Sequence, residues 1–309
     1  MLRGGTGSSW PQRSGPVAPV ARLSGEDEDE SRAGRPDGRI RAPGDVMRRL
    51  RSLTVLAMAV ALTAAACDWP MPGHGPARTG SSPDQSISRQ ALTTDSLELS
   101  WTAALQEGGW EATPVVADGT VYAGGGEGQF LAFDATGATN CAGDPKQCLP
   151  TWTADYGGAG GFHSPPVVAD GRFIFSGDDG YVRAHQVGGG ALWAGWLGDT
   201  SVSSPAVVDG IVYVGGNRRL HTFDAAGVLN CSGGACSPLW SSEELEQPFT
   251  GTVNSPAVWN RRVYVTTHTG GLHVLDAGGV EGCAGTPTTC VPLWSAPMAS
   301  SYTTPAVAD

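Results

Sequence analysis

Five prolines set the frame of this 309-residue chain: Pro114, Pro166, Pro205, Pro256 and Pro305, spaced 52, 39, 51 and 49 residues apart. Each opens a similar passage, clearest in Ser204–Trp240. There, Ala206-Val207-Val208 leads into Asp209-Gly210, then Ile211–Gly216, Leu220–Asp224 and a closing Leu239-Trp240. Short β-rich runs separated by Gly-, Asp- and Asn-containing turns read as four strands. The closing tryptophan recurs as Trp101, Trp152, Trp193, Trp240 and Trp294. A repeat of this length with about four strands is the signature of a β-propeller blade. The expected fold class is all-β: about four complete blades at 97–309, an orphan outer strand at Leu97–Trp101 and the start of a fifth blade at Tyr302–Asp309.

Composition supports strands over helices. The chain has 45 Gly, 22 Pro and only 16% charged residues, and no helical apolar period follows residue 67. Its formal net charge is −11. Residues 67–309 alone carry −14, because the first 66 hold ten Arg against seven Asp and Glu. An acidic body without a Lys/Arg stripe excludes nucleic acid as the expected partner, since phosphate binding needs clustered cations.

The N-terminal part reads as an address. Residues 1–46 are rich in Gly, Pro and Arg and cannot build a core; they are expected to be disordered or to be upstream sequence read as protein, with Met47 the true start. Met47-Arg48-Arg49-Leu50-Arg51 precedes the 14-residue apolar run Leu53–Ala66. A basic stretch, an apolar stretch and small residues describe a signal peptide over 47–66. The run is short for a membrane span, which needs about 20 residues. Leu62-Thr63-Ala64-Ala65-Ala66-Cys67 resembles a bacterial lipobox, which implies lipidation of Cys67 and anchorage to the outer face of the cell membrane. Ala64-x-Ala66 also suits an ordinary signal peptidase, which would leave Cys67 free. The other six cysteines fall into local pairs, so Cys67 is the odd one out. Residues 67–96 form the expected mature lead-in.

The pairs are Cys141 and Cys148, Cys231 and Cys236, and Cys283 and Cys290, each in a lengthened third turn. In an exported chain they are expected to be disulfides that pin hairpin loops. Zinc ligands favour pairs two to four residues apart with a second pair nearby, and redox sites favour C-x-x-C. Spacings of four and six on separate blades fit neither, so no metal is expected. Blade two lacks the insert, which explains its 39-residue repeat.

Trp69-Pro70-Met71-Pro72, followed by Ala77-Arg78-Thr79-Gly80, resembles the entry to PQQ-like (quinoprotein-like) propellers, a repeat family that includes the BamB-type lipoproteins. Asp134-Ala135-Thr136-Gly137 resembles the third turn of that family, and its tryptophans pack between blades. The resemblance implies a propeller with a central channel. Small hydroxylated residues precede the repeat prolines: Thr113, Ser164, Ser204, Ser255 and Thr304. With Trp110, Glu111, His163 and Asn254 they are the candidate ligand contacts at the channel; the alternative is plain strand-start hydrogen bonding. No residue here has catalytic spacing. His221 and His273 sit at equivalent third-strand positions, which suggests packing. A quinoprotein alcohol dehydrogenase would need a vicinal cysteine pair, a cofactor-stacking Trp and calcium ligands, and no two cysteines are adjacent. The expected function is therefore a non-catalytic exported lipoprotein that binds a protein or small ligand without a cofactor. The alternative is a fragment of a PQQ-dependent oxidoreductase.

Overall fold

The computed structural model describes residues 68–81, 98–105, 113–124, 128–155, 164–198, 201–246, 252–299 and 302–308. These residues form strands and turns and no helix. Blade one comprises β1 (Val115–Ala117), β2 (Thr120–Gly124) and β3 (Gln129–Asp134), the short hairpin β4 (Cys141–Ala142) and β5 (Gln147–Cys148), and β6 (Trp152–Asp155). Blade two is β7 (Val167–Ala169), β8 (Arg172–Ser176), β9 (Tyr181–Gln186) and β10 (Gly189–Trp196). Blade three holds β11 (Ala206–Val208), β12 (Ile211–Gly215), β13 (Leu220–Asp224), the hairpin β14 (Cys231–Ser232) and β15 (Ala235–Cys236), and β16 (Trp240–Ser242). Blade four repeats the plan with β17 (Ala257–Trp259), β18 (Arg262–Thr266), β19 (Gly271–Asp276), β20 (Cys283–Ala284), β21 (Thr289–Cys290) and β22 (Trp294–Pro297).

Local chemistry accounts for each blade. The repeat proline sits just before the first strand, where its missing N–H breaks no ladder bond. The first turn uses Asp118-Gly119, Asp170-Gly171 and Asp209-Gly210, with both residues at positive φ as a tight hairpin requires. In blades one, three and four the aspartate ending the third strand caps the next turn. Asp134 accepts N–H bonds from Thr136 (2.9 Å) and Thr139 (2.8 Å). Asp224 does the same for Ala226, Val228 and Leu229. The four strands of each blade pair antiparallel in sequence order.

Both faces of the central strands are buried, so they read as near-continuous apolar runs such as Phe173-Ile174-Phe175. The core lies between blades. One cluster joins Ile174 and Trp193 of blade two to Val212 and Phe223 of blade three. Another joins Tyr213 and Trp240 of blade three to Val263 and Leu275 of blade four. Trp101, Trp193 and Trp240 each dock on the third turn of the following blade. The Trp101 indole N–H donates to the Ala135 carbonyl at 3.0 Å, and that of Trp193 donates to Ala225 at 3.1 Å. A glycine beneath each ring makes room: a Cβ on Gly137, Gly227 or Gly279 would lie within 2.5 Å of the indole.

The three cysteine pairs are disulfides, and their hairpins reach beyond their own blades. The residue after each docking tryptophan pairs parallel with the residue before the second cysteine: Thr102 with Gln147, Ala194 with Ala235, and Ser241 with Thr289. Two blades are thereby extended into six-stranded sheets. The inserts pin loops, and each also clasps its own blade to the strand that precedes that blade.

Candidate functional site

The first strands β1, β7, β11 and β17 are edge strands of their sheets, and the lead-in from Asp68 onwards runs along these edges. Trp69 and Val116 exchange both backbone bonds, at 2.6 and 2.9 Å. The Pro70 carbonyl accepts from Val168, that of Pro76 from Val258 and that of Ala77 from Val307. Ten residues span at most about 36 Å, so the edges of separate blades must converge on this one segment. The segment occupies the axis of the repeat.

Arg78 is its hub. The side chain is only 6% exposed, and no carboxylate among the described residues pairs with it. Its donors all go to backbone carbonyls: Nε to Pro256 (3.2 Å), Nη2 to Ser204 and Pro205 (both 3.0 Å), and Nη1 to Pro72 (3.0 Å). One guanidinium thus ties blade three to blade four and to the lead-in itself. Burial pushes its pKa down to about 10, so it stays charged at neutral pH. The backbone at Arg78 is left-handed, with φ 60°. A Cβ on Gly73, also at positive φ, would strike the Arg78 backbone at 2.8 Å. Met71 fills the core between blades two and three. The turn is therefore a packed object, and Arg78, the key residue of the axis, stands in the sequence only as part of Ala77-Arg78-Thr79-Gly80. The signal that singles it out is a lone cation in an otherwise uncharged Trp-Pro-Gly segment, 69–80.

The hydroxylated residues before the prolines form a ladder between blades. Ser164 Oγ contacts the Ser176 hydroxyl and carbonyl, both at 3.0 Å. Ser176 donates to the Ser203 carbonyl at 2.6 Å, and the Ser255 hydroxyl accepts from the Ser204 N–H at 2.8 Å. Asn254 donates its amide to Thr266 at 2.9 Å, and Thr266 in turn donates to Thr303. Ser164, Ser204, Asn254 and Ser255 are all buried. Thr113 and Thr304 are exposed. Trp110, Glu111, His163 and Cys67 lie outside the described residues. The ladder missed by sequence reasoning is that of Ser176, Ser201 and Ser203, each buried and bonded to a neighbouring strand or blade.

The histidines face strands. His221 Nδ1 lies 2.9 Å from Ser241 Oγ, and His273 Nδ1 lies 2.8 Å from Ser295 Oγ, at cross-strand partner positions. Burial, reinforced by the nearby Arg219 charge, drives the His221 pKa down to about 4. Among the described residues no three His, Cys, Asp or Glu side chains gather to hold a metal. The described residues along these edges do not suit a planar quinone with its calcium ion: the charge there is a cation, Arg78, already bonded to carbonyls.

These features define an all-β repeat protein of four-stranded propeller blades. A family model described as outer membrane protein assembly factor BamB matches residues 142–281. Over that stretch the chain is similar to the PQQ-like repeat family. It is similar to the quinohemoprotein alcohol dehydrogenase ADHIIG from Pseudomonas putida HK5, with 18% identity and a TM-score of 0.58 over 79% of this chain and 42% of that one. The enzyme of the same description from Comamonas testosteroni gives 19% identity and a TM-score of 0.58, covering 78% of this chain and 44% of that one. BamB from Moraxella catarrhalis gives 17% identity and a TM-score of 0.44, covering 66% and 54%. The chain therefore spans less than half the length of the two dehydrogenases. At these identities the likeness is one of fold. No curated protein matches the sequence.

Proposed function

We propose that the protein is an exported lipoprotein, made with a signal peptide at 47–66 and anchored through Cys67. Its propeller, at 97–309, is a non-catalytic scaffold for a protein or small-ligand partner at the outer face of the cell membrane. The observation that carries this reading is the axis. In an enzyme of this fold the axis would have to be open to cofactor and substrate. Here the chain fills it with its own lead-in, locked by Arg78. The buried hydroxyls around it are committed to holding blades together, which suits a scaffold.

The anchor agrees with the geometry. Asp68, the residue after Cys67, accepts a bond from the Asp118 N–H at the first turn of blade one. First and third turns lie side by side, as the Ala135–Gly119 and Ala225–Gly210 bonds record. Leu149, Val228, Leu229 and Val280, in or beside the third-turn inserts, are all more than 60% exposed. An anchor at Cys67 would bring this apolar rim to the bilayer. Intact-mass spectrometry of the mature protein tests the proposal. A diacylated N-terminal Cys67 is expected; an unmodified Cys67 refutes the anchor. Adding PQQ and calcium to the purified protein should give no dye reduction, and reduction would refute the non-catalytic assignment.

A further inference from the structure

The first turns of blades one, two and three use Asp-Gly. Blade four places Asn260-Arg261 there instead, at φ 46° and 59°. A long side chain at a left-handed position suited to glycine is strained, and strain of this kind is retained where the side chain is used. No hydrogen bond or salt bridge among the described residues uses the side chain. Every other cation among the described residues has a partner. Lys146 and Arg172 bond carbonyls, and Arg183 pairs with Asp179. Arg218 and Arg219 pair with Glu244, and Arg262 with Asp276 and Glu281. Arg78 holds the axis. Arg261 alone, on an acidic protein, is exposed and unpaired among the described residues.

Arg261 lines a cavity of about 540 Å³ formed by residues of the lead-in and of blades three and four, within the size range of small-molecule sites. The walls are apolar: Pro76 and Ala77 of the lead-in, Ile211 of blade three, and Val258 and Trp259 of blade four. Trp259 is 41% exposed, so part of its indole remains uncovered. Asp209, Thr79 and Asn260 also line it. A neutral hydrocarbon would leave the strained arginine unused, and a cationic amphiphile would be repelled by it.

We propose that this cavity binds a single-chain amphipathic anion, its apolar tail against Pro76, Ile211, Val258 and Trp259 and its carboxylate or phosphate head on Arg261. This inference does not depend on lipidation of Cys67. The test is calorimetric titration of the full chain with monomeric dodecanoate, with dodecyl phosphate and with dodecyltrimethylammonium, each below its micellar concentration, and separately with anionic phospholipid vesicles. Saturable one-to-one binding of both anions with little binding of the cation is expected. Arg261→Gly restores the residue that the sister turns use, so that variant should fold at least as well, and it should bind dodecanoate at least 10-fold more weakly. Ile211→Trp, which fills the cavity, should abolish binding while Arg261 remains. Equal affinity for the cation, unchanged affinity in a folded Arg261→Gly variant, or no binding of either anion would each overturn the proposal. Binding of vesicles without binding of monomers would assign the patch to a membrane surface and overturn the cavity site.

Discussion

Replacing Arg78 by alanine should unravel the axis of the repeat. The guanidinium makes four hydrogen bonds to the Pro72, Ser204, Pro205 and Pro256 carbonyls. Bonds to a charged donor contribute about 1.5–3 kcal/mol each, so four give roughly 6–12 kcal/mol before costs. Against this stands the burial of an unpaired cation. A pKa pushed from 12.5 down to about 10 corresponds to about 3 kcal/mol at 1.36 kcal/mol per unit. The bonds outweigh the desolvation, and losses on removing one side of a buried polar arrangement run at about 3–5 kcal/mol. A loss of that size is a large share of the roughly 5–15 kcal/mol that holds a domain folded. Urea unfolding followed by tryptophan fluorescence should show the midpoint of Arg78→Ala falling by about 1–2 M. Arg78→Met keeps the stem and the packing, and should lose nearly as much. Arg78→Lys keeps the charge without the planar fork, and should lose about half. If Arg78→Ala cost less than about 1 kcal/mol, or if Arg78→Met restored full stability, hydrogen bonding across the axis would not be what holds it.

The glycine sockets predict a contrast between two similar substitutions: a Cβ on Gly227 would lie 2.3 Å from the Trp193 ring, whereas one on Gly171 meets nothing within 4 Å. Gly171→Ala should cost about 1–2 kcal/mol for its left-handed backbone alone, and Gly227→Ala about 2 kcal/mol more by denaturant melts. The burial that holds the His221 pKa near 4 means that below pH 6.5 the unfolded chain binds the extra proton. Stability from this group is therefore complete above about pH 6.5 and is lost as the pH falls towards 4, by about 2–3 kcal/mol at pH 4.5; His221→Gln should flatten the profile over that window. Changing both Cys231 and Cys236 to serine should cost about 2 kcal/mol on the loop-entropy account, and thiol titration of the denatured wild type should find no more than one reactive group.

The parts of the fold that are written in adjacent residues were legible. Pro205 before β11, Asp209-Gly210 after it and Asp224 at the end of β13 each act within a few residues, so the repeat could be read from them. The axis was not legible. Arg78 reaches Ser204, Pro205 and Pro256 across 126, 127 and 178 residues, and nothing in Gly73-His74-Gly75 announces those partners. The hydroxyl ladder is intermediate. Ser164, Ser204 and Ser255 stand out by their place before prolines, whereas the bond from Ser176 to Ser203 forms only when blades two and three are side by side. The cysteine pairs were legible as pairs. Their second role, a parallel pairing to the preceding blade, depends on a strand about 40 residues upstream.

Blade two shows why the clasps matter. It lacks the insert, so β6 of blade one has no parallel hairpin partner. That junction is packed with aromatic rings instead. Phe173 lies 5.0 Å from both Tyr122 and Phe130 and 5.8 Å from Trp152, and Phe130 lies 4.6 Å from Phe175. The clasped junction between blades three and four holds no comparable cluster of phenylalanines, and is filled chiefly by Val258, Val263, Val265 and Leu275. Aromatic rings bury about 150–250 Å² each, enough to replace what a two-residue ladder and a disulfide supply elsewhere. The uneven spacing of the five prolines is thus the trace of two solutions to one problem. Neighbouring blades are joined either by a covalently pinned hairpin that adds strands to the previous sheet or by a bare turn with a heavier aromatic core. Both leave the axis to the lead-in, whose bonds to β1, β7, β17 and Val307 make it a partner to blades at each end of the described repeat.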